Sequence, residues 1–143
     1  MGNDDHNLER FARAQAQVYA QALNELRTGA KRSHWMWFVF PQYAGLGRSE
    51  TARYYAIRSL DEARAYLAHP LLGTRLRECV TVLLERQGRT AEDIFGHPDV
   101  RKLHSSLTLF DAISGHDIFA RALTKYFDGK RDTATLRLID GQP

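Results

Sequence analysis

The chain has 143 residues, 43% apolar and 26% charged, with 20 basic against 17 acidic side chains and a formal net charge of +3. That length fits one domain, and the apolar content excludes disorder across its body. No apolar run approaches the roughly 18 residues of a membrane span, the single cysteine (Cys79) excludes an internal disulfide, and the scattered basic residues argue against a dedicated nucleic-acid binder.

Residues 1–6 are acidic and polar, have no signal-peptide core, and read as a flexible N-terminus. A cytoplasmic location is the expectation. From Leu8 to Leu26, apolar residues recur at three- and four-residue steps, which predicts one amphipathic helix over about 7–28, capped by Asp4 or Asp5 and ended at Gly29.

The next stretch runs Lys31-Arg32-Ser33-His34-Trp35-Met36-Trp37-Phe38-Val39-Phe40-Pro41-Gln42. Trp35–Phe40 holds both tryptophans and two of the seven phenylalanines. Burying such rings stabilises a fold by about 2 kcal/mol or more each. The segment therefore belongs to a core or to a pocket wall. Ser33 as a cap favours a short helix there. Gly45-Leu46-Gly47 reads as a loop, and Thr51–Tyr55 as a short helix.

Ser59 and Glu62 have capping-box spacing ahead of a helix over about 60–68. Pro70 restarts the chain into a helix whose Leu72, Leu76, Cys79, Val80, Leu83 and Leu84 form a broad apolar face. Thr90 and Asp93 cap a one-turn helix ending at Gly96. Val100, Leu103, Leu107 and Phe110 mark the inward face of the next. Two more helices are predicted, from Ile118 to Phe127 and over about 133–139, the last capped by Asp132. Starts, stops and periodicity agree on a single compact all-α domain of seven or eight short helices around a central one, with 31–42 at its heart.

The runs KRSHWMWFVFPQ, GLGRSETARYYAIRSLDEARAYLAHPLLGTRLREC, IFGHPDVRKLHSSLTLF and KYFDGKRDTATLRLI together resemble a bacterial family. It is the domain-of-unknown-function family numbered eighteen-ten, whose members are sometimes labelled calpastatin-like. The resemblance covers about residues 8–139. It implies an all-helical domain around a central helix and brings no activity, cofactor or catalytic residue. The calpastatin label does not suit a chain this apolar and this regularly capped, because that inhibitor is disordered.

Lys31, Arg32 and His34 are placed to hold an anion while Trp35 or Trp37 stacks on a ring, an arrangement that suits planar anions, and Gln42 completes the candidate binding set. The competing reading puts Trp35, Phe38 and Val39 in the core and the cations in water. On a helix, Trp35 and Trp37 point about 200° apart, so one can be buried while the other lines a pocket. Three function classes follow for the Lys31–Gln42 segment. It is a binding site for a small anionic or planar ligand or a peptide, an enzyme site for a nucleotide-like or sugar-phosphate-like substrate with His34 as acid or base, or a protein–protein surface.

Other chemistry is poorly supported. His6, His34, His69, His97, His104 and His116 lack metal-ligand spacing, so neither metal nor cofactor is expected. Cys79 lies on an apolar helix face. His104-Ser105-Ser106 with Asp111 supplies the residue types of a hydrolase, but neighbours on a helix diverge, so they form no triad. Asp61-Glu62 and Glu92-Asp93 fit first-turn positions that complement the helix dipole. One of Tyr54, Tyr55 and Tyr66 is a candidate pocket wall.

Overall fold

The computed structural model describes residues 4–115 and 117–141, so His116 lies outside the described residues. Ten helices follow one another: α1 (Glu9–Gln15), α2 (Tyr19–Thr28), α3 (Met36–Val39), α4 (Glu50–Tyr54), α5 (Leu60–Ala68), α6 (Leu72–Glu85), α7 (Ala91–Phe95), α8 (Asp99–Ser114), α9 (Ile118–Phe127) and α10 (Thr133–Ile139). Among the described residues there is no strand, only an isolated parallel bridge between Tyr43 and Ile57. No helix there is long and apolar enough to cross a membrane.

The predicted helix over 7–28 is two helices, broken at Ala16–Val18. The cause is Gln15, whose buried amide donates to the Phe38 carbonyl at 2.6 Å and contacts the Tyr66 hydroxyl at 3.1 Å. That anchor ties the end of α1 to α3 and α5, while α2 turns away to pack along α6. At the other end, Asp4 accepts from the Leu8 and Glu9 amides, the capping expected of an N-terminal aspartate.

Elsewhere the caps follow the sequence closely. Thr90 and Asp93 form a complete capping box on α7. Ser59 accepts from the Glu62 amide, but the Glu62 side chain turns to Arg10 and the Arg58 amide, so only half of that box forms. Asp132 caps α10. The C-terminal end of α6 is met by Lys125 of α9, whose ammonium donates to the carbonyls of Leu83 and Leu84 at 2.9 and 2.8 Å and to that of Arg86. A cation at a helix C-terminus satisfies orphan carbonyls and complements the dipole.

The rod around which the others gather is α8. Its Val100, Leu103, Leu107, Leu109 and Phe110 are buried, and α3, α5, α7, α9 and α10 all pack on it. The tryptophan segment supplies Trp35, Met36, Val39 and Phe40 to the core, but its four-residue helix is too short to be the central element. Trp35, Phe40 and Phe95 form one aromatic cluster, with ring centroids 5.9–6.4 Å apart. Phe11, Tyr66, Phe110 and Phe119 form a second, in contacts of 5.0–5.7 Å. Helices α5 and α6 approach closely at Gly73, where a Cβ would stand 1.9 Å from the Leu67 carbonyl oxygen. Only glycine fits there.

Candidate functional site

The six residues of the tryptophan segment with site potential separate into inner and outer groups. Trp35 is fully buried, and its indole Nε1 donates to Glu25 Oε1 at 2.9 Å. Glu25 also accepts from the Arg32 and Ser33 amides at 2.9 and 3.1 Å, from the Ser33 hydroxyl at 2.7 Å and from Gln21 at 3.1 Å. Burial opposes its ionisation. The hydrogen bonds from Arg32, Ser33 and Trp35 outweigh that penalty and hold the carboxyl down at about 2. Ser33 is therefore a partner of Glu25, and the short helix is instead preceded by Trp35, which makes no side-chain cap.

Lys31 is also drawn inward. Its ammonium pairs with Asp99 at 2.7 Å, donates to the Ser33 carbonyl at 2.5 Å and lies 4.9 Å from the Trp35 ring centroid. Lys31 and Trp35 thus hold the segment to α2 and α8, and neither is free to meet a ligand. Arg32 and His34 are exposed, but neither lines the hollows described next.

Trp37 and Gln42 do face a cavity. Three adjoining hollows meet at Gln42, with volumes of about 190, 360 and 470 Å³. The backbone fixes this residue: the Gln42 carbonyl accepts from the Ile57 amide and the Ala44 amide donates to the Ile57 carbonyl, both at 2.8 Å. The loop that follows is pinned at Gly47, where a Cβ would stand 2.4 Å from the Ala52 Cβ. These contacts tie the glycine loop to α4 and to Ile57 beyond it.

The middle hollow is walled by Trp37, Leu46 and Pro98 and bordered by Arg48, Arg101 and Lys102. Lys102 stands 4.6 Å over the Trp37 ring and 3.4 Å from Asp99, which links it to Lys31. The smallest hollow adds Arg53 and Arg58. The largest lies against α8 and α10 and adds His104, Ser105 and Asp132. Five cations thus surround the three hollows, with Asp132 the one carboxylate lining them. Setting these aside, the chain's remaining 15 basic and 16 acidic residues nearly cancel. Among the described residues, Arg48, Arg53, Arg58 and Arg101 have no carboxylate within salt-bridge distance, so their charge is not neutralised locally. Field from like charges around a concave surface concentrates anions.

Sequence reasoning missed most of this border. The glycine loop was legible as a loop, but nothing local shows that α8 delivers Arg101 and Lys102 to the same hollow as Trp37. Among the described residues, Cys79 and the histidines stay apart from it, except His104. Its Nε2 donates to the Lys130 carbonyl at 2.7 Å and its ring stacks on Phe127. Tyr66 is buried, and Tyr54 lines a separate hollow beside Arg10. No cluster of three or more metal-ligating side chains occurs among the described residues.

The comparisons with known proteins bear on family more than on chemistry. A crystal structure at 1.38 Å of the conserved hypothetical protein Rv1873 from Mycobacterium tuberculosis is similar to this chain, with 51% identity and a TM-score of 0.94 over 96% of this chain and 99% of that one. No curated protein matches. The model of a protein family of unknown function, DUF1810, matches residues 5–139. Nearly the whole described fold falls within that match, and the chain belongs to the DUF1810 family.

Proposed function

We propose that this protein binds a small anionic ligand in the groove around Gln42, with Trp37 as its aromatic wall. The observation that carries this reading is the convergence of Arg48, Arg101 and Lys102 on one hollow that no carboxylate lines. Arg48 and Arg101 have no carboxylate partner among the described residues, whereas Lys102 pairs with Asp99, and guanidinium is the side chain best shaped to grip phosphate or carboxylate. The hollow suits a metabolite-sized ligand in volume. An acid/base role for His34 finds no support, because the residue lies outside the groove.

Titration of the whole chain with pyrophosphate, nucleoside phosphates and sugar phosphates tests the reading. Binding raises the melting temperature by mass action, and changes fluorescence through Trp37. The expected response weakens with added salt and disappears in the Arg101→Ala/Lys102→Ala double variant. A panel of phosphates and carboxylates that moves neither signal overturns the proposal.

A further inference from the structure

The largest of the three hollows shares Arg101 with its neighbour but adds a carboxylate and a buried hydroxyl. At its inner end Ser105, which is only 2% exposed, Thr135 and Asp132 form a chain of oxygens. Thr135 Oγ1 lies 2.5 Å from Asp132 Oδ2 and 3.1 Å from Ser105 Oγ. A threonine hydroxyl has one proton, and the carboxylate is the stronger acceptor, so Thr135 donates to Asp132. Ser105 then donates to Thr135, and the Ser105 lone pairs are left without a donor. Asp132 Oδ2 also accepts from the Thr135 amide, while Oδ1 receives no hydrogen bond from any described residue.

This hollow therefore presents two unused acceptors, Asp132 Oδ1 and Ser105 Oγ, and one carboxylate charge. At the Asp132 end, away from Arg101, bare phosphate is repelled. That end needs hydrogen-bond donors without negative charge, and adjacent hydroxyls are the simplest group that fits. Arg101, Gln42 and Leu46 border both this hollow and the cationic one. A ligand that spans them carries its anion at one end and its hydroxyls at the other.

We infer that the groove recognises a phosphorylated sugar, with the phosphoryl group on Arg48, Arg101 and Lys102 and the vicinal hydroxyls on Ser105 and Asp132. This inference rests on the anion-binding reading above and adds the class of ligand. Free sugar phosphates and nucleotides share this chemistry. In a nucleotide the base extends the ligand further, and Trp37 is the aromatic surface available to it.

The test measures binding to the whole chain by calorimetry with four probes: inorganic phosphate, ribose 5-phosphate, adenosine monophosphate and ribose. Ribose 5-phosphate is expected to bind at least about tenfold more tightly than phosphate, the gain of one charge-assisted hydrogen bond, and ribose alone not at all. Ser105→Ala is expected to erase most of that margin while leaving phosphate affinity unchanged, and Asp132→Asn to erase it while phosphate itself binds somewhat more tightly for want of the repelling carboxylate. Asp132 also caps α10, so Ser105→Ala carries the test if Asp132→Asn does not fold. Tighter binding of adenosine monophosphate, lost in Trp37→Ala, assigns a nucleotide; equal binding assigns a free sugar phosphate. Equal affinity for phosphate and ribose 5-phosphate overturns this inference and leaves anion binding intact. Failure of every phosphate probe overturns both.

Discussion

Glu25 and Trp35, ten positions apart, meet in the interior through a 2.9 Å hydrogen bond from indole nitrogen to carboxylate. The contact fixes the tryptophan segment against α2. It does so with a charge held almost entirely out of water, surrounded by donors from Gln21, Arg32 and Ser33. Removing the carboxylate strands all of these donors at once. Glu25→Ala is expected to cost about 3 kcal/mol or more, and Glu25→Gln somewhat less, read by urea denaturation at pH 7. A loss under 1 kcal/mol for Glu25→Ala counts against its role as a hub.

The same carboxylate predicts an acid limb. Its folded pKa of about 2 lies below the ordinary 4.5. Its stabilisation is therefore complete above about pH 4.5 and fades as the pH falls toward 2. Between pH 7 and pH 3 this group alone is expected to remove about 2 kcal/mol of stability. Parallel denaturation curves for the wild type and Glu25→Gln check it: the variant should show a shallower decline by that amount.

Arg10 and Glu62 form a second buried charge pair at 2.6 Å, with both side chains 4% exposed. The guanidinium also donates to the carbonyls of His6, Asn7, Tyr54 and Ala56, so it joins the N-terminal turn to the α4–α5 connection. Arg10→Met is expected to cost about 3–5 kcal/mol, because Glu62 is left charged without its partner. Adding Glu62→Met should recover part of the loss. A double-mutant cycle with no coupling excludes the pairing.

Gly73 tolerates no side chain. The Cβ of Gly73→Ala would fall on the Leu67 carbonyl oxygen, and a backbone atom cannot rotate away. Forcing α5 and α6 apart is expected to cost about 3 kcal/mol, visible as a lower melting temperature. A neutral variant would show that the helices can slide.

Cys79 is expected to be inert to thiol reagents in the folded chain. Burial pushes its thiol up to about 12, even though the Tyr19 hydroxyl favours the thiolate. The measurement is the rate of aromatic disulfide exchange with and without urea. Rapid labelling of the native chain at pH 7 contradicts the buried placement.

Helices with a periodic face and a cap were readable from residues alone, and α5 to α10 lie close to where Ser59, Thr90, Asp132 and the leucine spacings place them. The break inside 7–28 was not readable, because it depends on Gln15 reaching Phe38 and Tyr66, both distant in sequence. The split of the tryptophan segment was anticipated in form: Trp35 turns inward and Trp37 borders a hollow. The fate of Lys31 was not, since its partner Asp99 comes from another helix. The groove's arginines were hidden for the same reason. Arg48 and Arg101 are unremarkable one by one and reach the same hollow only through the fold.

Helix α8 turns one set of side chains, Leu103, Leu107 and Phe110, into the interior and another, Arg101, Lys102, His104 and Ser105, toward the groove. On the proposed reading, ligand preference is carried by one side of a stiff rod whose opposite side is locked in place. That side can then change by a few residues at a time with no change of architecture.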